Sequence, residues 1–337
     1  VRESAFMHMV DALLSPETGA AMWAASAGAA VYATKKITGS GMSEKKLPVM
    51  AVSGAFVFAA QMINFTIPGT GSSGHLCGGM LLTALLGPYA SFLTMIGVLL
   101  IQCLLFADGG LLALGCNIWN MAFYGCFLGA FLIWRPVMKK GMSRGKIIIA
   151  SVVGSVLTLQ LGAFSVVLET LASGITELPF STFAATMQPI HLAIGLGEGL
   201  ITAAVLLFIY EARPELLENA GSSGKNRMSF KGVIGVLCAA AILIGGGISL
   251  LASSYPDGLE WSVEQITGET ELEAENGIYD TASEIQDTAA LLPDYSFQDS
   301  DSAWGTVVSG IVGGVVVIAV CVGACYVFKF FRKKKVS

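Results

Sequence analysis

Apolar runs long enough to cross a bilayer recur along the whole chain, near residues 17–37, 48–64, 76–106, 111–134, 146–172, 188–210, 231–252 and 304–330. A helix rising about 1.5 Å per residue needs about 20 apolar residues to cross a hydrocarbon core of about 30 Å. Lipid offers no partner for backbone N–H and C=O groups, so only helices and closed barrels span it. No run alternates as barrel strands do, and the sequence therefore predicts an all-α integral membrane protein. Composition agrees: 54% of residues are hydrophobic and only 13% charged, against about 25% charged in an ordinary soluble domain. Cys77, Cys103, Cys116, Cys126, Cys238, Cys321 and Cys325 fall mostly inside the apolar runs and form no C-x-x-C pair. They read as small buried hydrophobes. Residues 1–16 lack a basic stretch followed by an apolar one, so no cleavable signal peptide is expected ahead of the first span.

The loops set the orientation. Lys35, Lys36, Lys45 and Lys46 follow the first run; Arg135, Lys139, Lys140, Arg144 and Lys146 follow 111–134. Arg213, Lys225, Arg227 and Lys231 follow 188–210, and Lys329, Arg332, Lys333, Lys334 and Lys335 lie near the C-terminus. The positive-inside rule places all four regions in the cytoplasm. Segments 65–75, 173–187 and 253–303 contain no Lys or Arg and are expected outside. A parity argument follows: residue 74 is outside and Arg135 inside, 111–134 supplies one crossing, and 76–106 must therefore cross an even number of times. Gly87-Pro88 divides that run, since proline removes a donor and disfavours helix in the residue before it. The expectation is a short helix over 76–86, a turn buried inside the bundle, and a full helix over 89–106.

Segment 253–303 holds thirteen of the chain's 24 acidic residues and no Lys, Arg or His. Taken alone it reads as a flexible acidic loop. It also divides the protein into a bundle of about seven helices over 7–212, a cytoplasmic linker over 213–230 and a two-helix module over 231–337. Gly310 and Gly314 in the last run form a small-xxx-small face suited to packing on another helix.

The outward loop NFTIPGTGSSGHLCGG carries the richest chemistry. Gly69, Gly71 and Gly74 fit G-x-G-x-x-G, but the strand, helix and distant acid of a dinucleotide site are missing. Gly71-Ser72-Ser73-Gly74 resembles the serine site of rhomboid intramembrane proteases, with His191 as the base that Ser73 requires. The sequence around His191 does not resemble the rhomboid partner helix. A third reading is metal binding by His8 and His75. If the chain starts at Met7, the Met7 α-amine, the His8 amide and the His8 imidazole form one chelate, and His75 completes four nitrogens in a plane. Such a set favours nickel(II) or copper(II) and admits cobalt(II). The plainer alternative is that His75 bonds loop carbonyls and His8 lies on the surface.

MHMVDALLSPETGAAMW, NFTIPGTGSSGHLCGG, LLGPYASFLTMIGVLLIQCLLFADGGLLALGCNIWNM and HLAIGLGEGLITAAV together resemble the CbiM/NikM family over about residues 7–213. These are the substrate-binding membrane subunits of energy-coupling factor transporters for cobalt and nickel. SSYPDGLEWSVEQITG is similar to the PDGLE motif of the accessory CbiN/NikN subunit, so the chain looks like a fusion of the two. The resemblance implies that Met7, His8 and His75 bind Co2+ or Ni2+ as transported substrate. It also implies work with a membrane coupling subunit and cytoplasmic ATPases. No Walker A sequence occurs in the chain, so neither bound ATP nor enzymatic activity of its own is expected, and no nucleic-acid partner. The family's methionine is the first residue, which makes residues 1–6 read as an over-extended start.

Further residues take expected roles. Asn64, Asn117, Asn120 and His191 are candidates to orient the metal ligands. His191 has a structural hydrogen bond as its plainer role. Glu198 is an ionisable group inside a span and a functional candidate on that ground, or else a structural pair with His191. Asp11 is expected to cap the first helix or to neutralise the site. The whole reads as a multi-pass protein of the cytoplasmic membrane, N-terminus outside and C-terminus inside, that takes up cobalt or nickel.

Overall fold

The computed structural model describes residues 8–40, 46–220, 227–270, 272, 274, 277–298 and 302–336, without the side chains of Ser40 and of 327–336. Helix α1 (Pro16–Ser40) begins where Ser15 Oγ accepts the Thr18 N–H at 3.3 Å, with proline at the first helical position, where no N–H is needed. Asp11, expected to cap this helix, instead accepts the Ala113 N–H at 2.8 Å. Helix α2 (Lys46–Gln61) follows, and then two strands, β1 (Phe65–Ile67) and β2 (Ser72–Gly74), pair antiparallel with Phe65 opposite Gly74 and Ile67 opposite Ser72. The turn between them has Pro68 followed by Gly69 at φ +79°, closed by the Thr70 N–H on Ile67 O at 3.3 Å. That is a type II turn, whose third residue needs the positive φ that glycine accepts.

The run 76–106 splits as its proline requires, into α3 (Gly79–Leu86) and α4 (Pro88–Phe106). Every residue of α3 is buried. The turn at Gly87 is buried, as expected, and protein groups meet its polar atoms: Lys46 Nζ donates to Leu86 O at 3.2 Å, the Glu218 N–H donates to Ala84 O at 2.6 Å, and Glu218 pairs with Arg135 at 2.6 Å. Helix α4 ends at Ala107, left-handed at φ 54°, with the Asp108 N–H reaching back to Gln102 O at 3.0 Å. Helix α5 (Leu114–Met138) is wound as a π-helix from Ile118 to Trp134. Helices α6 (Arg144–Ser173) and α7 (Phe180–Ala212) form the longest packed pair of the bundle. Leu157, Leu161, Phe164, Leu168 and Leu171 leave one face of α6 apolar and exposed, at the spacing of a helix stripe. In a bilayer that face meets lipid.

The second module starts with α8 (Phe230–Gly246), capped by Ser229 Oγ on the Gly232 N–H at 3.0 Å. The final helix α11 (Ala303–Val336) and α8 both pack on α2. Gly310 sits against Gly245, where a Cβ on Gly245 would lie 3.1 Å from Gly310 Cα, so the small-residue face meets a helix of its own module. Gly314 stands clear of close neighbours. The acidic segment differs from a flexible loop: its described residues include α9 (Gly258–Thr267) and α10 (Gly277–Ala289). Both dock on the bundle, α9 against α7 and α10 against α4.

Close helix contact also occurs where α3 crosses α5, since a Cβ on Gly125 would stand 2.8 Å from Gly79 Cα. Overpacking of this kind costs about 1–3 kcal/mol. Gly125→Ala is expected to lower the thermal unfolding midpoint in detergent by that order. Gly28→Ala, with open space around its position on α1, is the control that leaves the midpoint unchanged or raised.

Candidate metal site

Two separate anchors bring the histidines together. The first grips the N-terminal segment. Asn117 on α5 accepts the Met9 N–H and donates to Met9 O, both at 3.0 Å, and the Gly110 N–H adds a third bond to the same carbonyl. His8, next in the chain, is 4% exposed. Its Nδ1 lies 2.9 Å from Asp108 Oδ1, close enough for strong electrostatic contact but outside hydrogen-bond angles, and both ring nitrogens are buried without a hydrogen-bond partner. Tyr295, from the second module, donates to Asp108 Oδ2 at 2.6 Å. Burial lifts the Tyr295 hydroxyl well above its ordinary pKa, with the Asp108 charge acting in the same direction, so the phenol stays protonated and serves as donor.

The second anchor holds His75. The segment between β2 and α3 is fixed by Glu198 on α7, whose carboxylate accepts the Cys77 and Gly78 N–H groups, each at 3.1 Å. A buried carboxylate at a helix N-terminus meets both the unpaired N–H groups there and the positive end of the helix dipole. Gln61 donates to Cys77 O at 2.9 Å, and Gln102 donates to Gln61 Oε1 at 2.9 Å. Gly74 lacks the side chain that would strike Ile194, where a Cβ would fall 2.7 Å from Cγ2. The imidazoles of His8 and His75 thereby stand 5.7 Å apart, centroid to centroid, with planes at 48°.

They face a cavity of about 80 Å³ that His191, Asn117, Asn120, Cys77, Met121 and Asp257 also line. A larger cavity of about 320 Å³ borders it at His8 and Leu259, walled by Asp11, Glu260, Tyr279 and Gln286. Burial raises the Asp11 carboxyl above its usual range, partly offset by backbone N–H groups of residues 111–113. Among the described residues no group of three or more His, Cys, Asp or Glu side chains has metal-site geometry. His8 and His75 are the two imidazoles that face each other, while the third at the cavity, His191, has its Nδ1 engaged by Met187 O. Met7 lies outside the described residues, as do residues 1–6.

The other candidates separate. Asn117 grips the His8 side of the site, and Asn120 donates to Glu169 at 2.8 Å. Asn64 does not line the cavity; its backbone carbonyl accepts the Ser253 N–H at 2.8 Å. His191 Nδ1 pairs with Met187 O at 2.8 Å, a bond within its own helix. Ser73, the nucleophile of the protease reading, is fully buried and donates to Tyr255 O at 2.7 Å. Ser73 and His191 thus share no hydrogen bond, and the constellation that proteolysis needs is absent among the described residues. Glu198 meets the backbone of the His75 segment rather than His191. Asp108, Tyr295 and Asp257 escape sequence reasoning as site residues; the signals present were that Asp108 is an acid between two apolar runs and that Asp257 belongs to the PDGLE motif.

A helical bundle with several membrane-spanning candidates and two imidazoles brought together from distant parts of the chain is the architecture of a multi-pass membrane protein that handles a metal ion. The family model "Cobalt uptake substrate-specific transmembrane region", CbiM, matches residues 8–216, and the PDGLE domain matches 231–330. The chain belongs to the CbiM family. It is 34% identical over 313 residues to a protein of Archaeoglobus fulgidus named as a fused nickel transport protein, NikMN, covering 93% of this chain and 96% of that one. It is 30% identical over 277 residues to the fused nickel transport protein NikMN of Rhodobacter capsulatus, covering 78% of each. A crystal structure of a truncated transition metal transporter superposes with a TM-score of 0.53 at 32% identity, over 61% of this chain and 99% of that one. The protein is a cobalt or nickel uptake component, a transport protein and not an enzyme.

Leaving buried N–H groups unpaired costs about 1–3 kcal/mol each. Glu198→Ala strips the acceptors from Cys77 and Gly78 together and is expected to destabilise the fold by several kcal/mol. Glu198→Gln, which keeps one carbonyl acceptor, is expected to cost about half as much, measured by thermal unfolding in detergent.

Proposed function

We propose that the chain captures Co2+ or Ni2+ at its extracytoplasmic mouth through His8 and His75, completed by the Met7 amine and the His8 amide when Met7 is the first residue. The carrying observation is the meeting of two imidazoles 5.7 Å apart from positions far separated in sequence, with the His8 ring nitrogens buried and unbonded. Imidazole nitrogen suits both ions. A chelate that joins amine, amide and imidazole closes its ring through Nδ1, the nitrogen now beside Asp108. Loading therefore exchanges the Asp108 contact for the metal. The N-terminus lies outside and the C-terminus in the cytoplasm. Inward release is driven by a membrane coupling subunit and cytoplasmic ATPases, since this chain has no Walker A sequence.

Loss of even an outer partner of a metal ligand costs about 10–100-fold, so His8→Ala or His75→Ala is expected to lower Ni2+ or Co2+ uptake by at least that factor in cells supplied with the partner subunits. Uptake at the wild-type rate in either variant sinks the site. Mass spectrometry of the purified protein's N-terminus decides whether the amine belongs to Met7. Labelling of Ser73 by a serine-hydrolase probe restores the protease reading.

A further inference from the structure

The PDGLE sequence that opens the outer part of the second module has no role in the capture step described so far. Its placement gives it one. Ahead of it, Ser253 is tied to the bundle by its N–H on Asn64 O at 2.8 Å and by Thr66 Oγ1, which donates to Ser253 Oγ at 2.9 Å. Pro256 O accepts the Ser73 N–H at 2.8 Å, and Tyr255 O accepts the Ser73 hydroxyl at 2.7 Å. The module thus attaches itself along β2, one residue from the strand's end and two from His75. Gly258 is glycine because a Cβ there would stand 2.7 Å from Ile194 Cδ1 and 3.0 Å from His191 Cε1. Asp257 and Glu260 form a reciprocal cap at the start of α9: Asp257 Oδ1 accepts the Leu259 and Glu260 N–H groups at 2.8 and 2.9 Å, and Glu260 Oε2 accepts the Asp257 N–H at 3.1 Å. That cap fixes the Asp257 carboxylate, 4% exposed, in the wall of the cavity shared with His8 and His75.

We propose that the Pro256–Glu260 turn is the outer wall of the metal cavity, and that Asp257 supplies the negative charge that offsets a divalent cation held by His8 and His75. The proposal rests on the capture site described above and adds a residue from the second module to it. A dication among imidazoles in so small a cavity needs a nearby anion, because burying uncompensated charge is costly, and among the residues lining that cavity Asp257 is the carboxylate.

Asp257→Asn tests this, since asparagine caps a helix as well as aspartate and removes only the charge. Purified full-length chain titrated with Ni2+ alone is expected to show affinity reduced about tenfold or more in this variant, with a shifted ligand-field absorption. The loss persists in high salt, whereas Asp280→Asn, exposed on α10, has an effect that salt removes. Gly258→Ala pushes the turn off Ile194 and reproduces the loss with Asp257 intact. Unchanged affinity and spectrum in Asp257→Asn, with His8→Ala and His75→Ala both impaired, overturns the role of Asp257 alone. Wild-type binding in all of these variants overturns the capture site itself.

Discussion

A single buried carboxylate holds the outer half of the bundle in register. Glu198 projects from α7 to the backbone N–H groups of Cys77 and Gly78 at the head of α3, and so ties the long C-terminal helix of the bundle to the shortest one. The hairpin preceding α3 hangs from that joint, and His75 hangs from the hairpin. The joint matters because donors at the head of α3 have no partner within their own helix, and a buried carboxylate needs donors; Ser155 Oγ adds a longer one at 3.5 Å. His8 reaches the same place by an unrelated route, through Asn117 and the left-handed turn at Ala107 that sets Asp108. A site assembled by two independent anchors needs no contact between its ligands to exist.

Much of this was legible in the sequence. Residue counts per crossing and the uneven loop charge demanded two arms in 76–106, and Gly87-Pro88 marked where they part. MH and GSSGH marked the two histidines. The two short strands were not legible, because three residues carry no periodicity, and the Pro68-Gly69 pair between them went unread as a turn. Segment 253–303 was misleading for a physical reason. Its helices are short and acidic, so composition does not set them apart from a solvated loop; the amphipathic spacing of both, and the D-x-x-E capping box of Asp257 and Glu260 that opens α9, were the signals that composition outweighed. The helices gain stability from docking, as where Gln286 donates to Gly109 O at 2.9 Å and Tyr279 to Leu14 O at 2.7 Å. Asp108 and Tyr295 meet across 187 residues, and no local pattern encodes such a pair. Asn64 carried a side-chain expectation, yet its useful group is its backbone carbonyl.

The distribution of charge follows the same division of labour. The bundle offers lipid an apolar face on α6, its basic loops gather at one end, and the acids concentrate in the module that covers the histidines. A field of that sign raises the local concentration of cations and speeds their encounter. It cannot select among them, since selection rests on nitrogen donors. Attraction and recognition are thus built from different residue types in different parts of one chain.

The attachment of the module to β2 has a consequence for why the two parts share a chain. The hydrogen bonds to β2, each worth about 1 kcal/mol net, act together with the packing of α8 and α11 on α2 and of α9 on α7. Carried on the same chain, the module meets the hairpin at an effective concentration that no separate molecule has to supply. Covalent continuity thus gives every copy of the bundle its own resident wall.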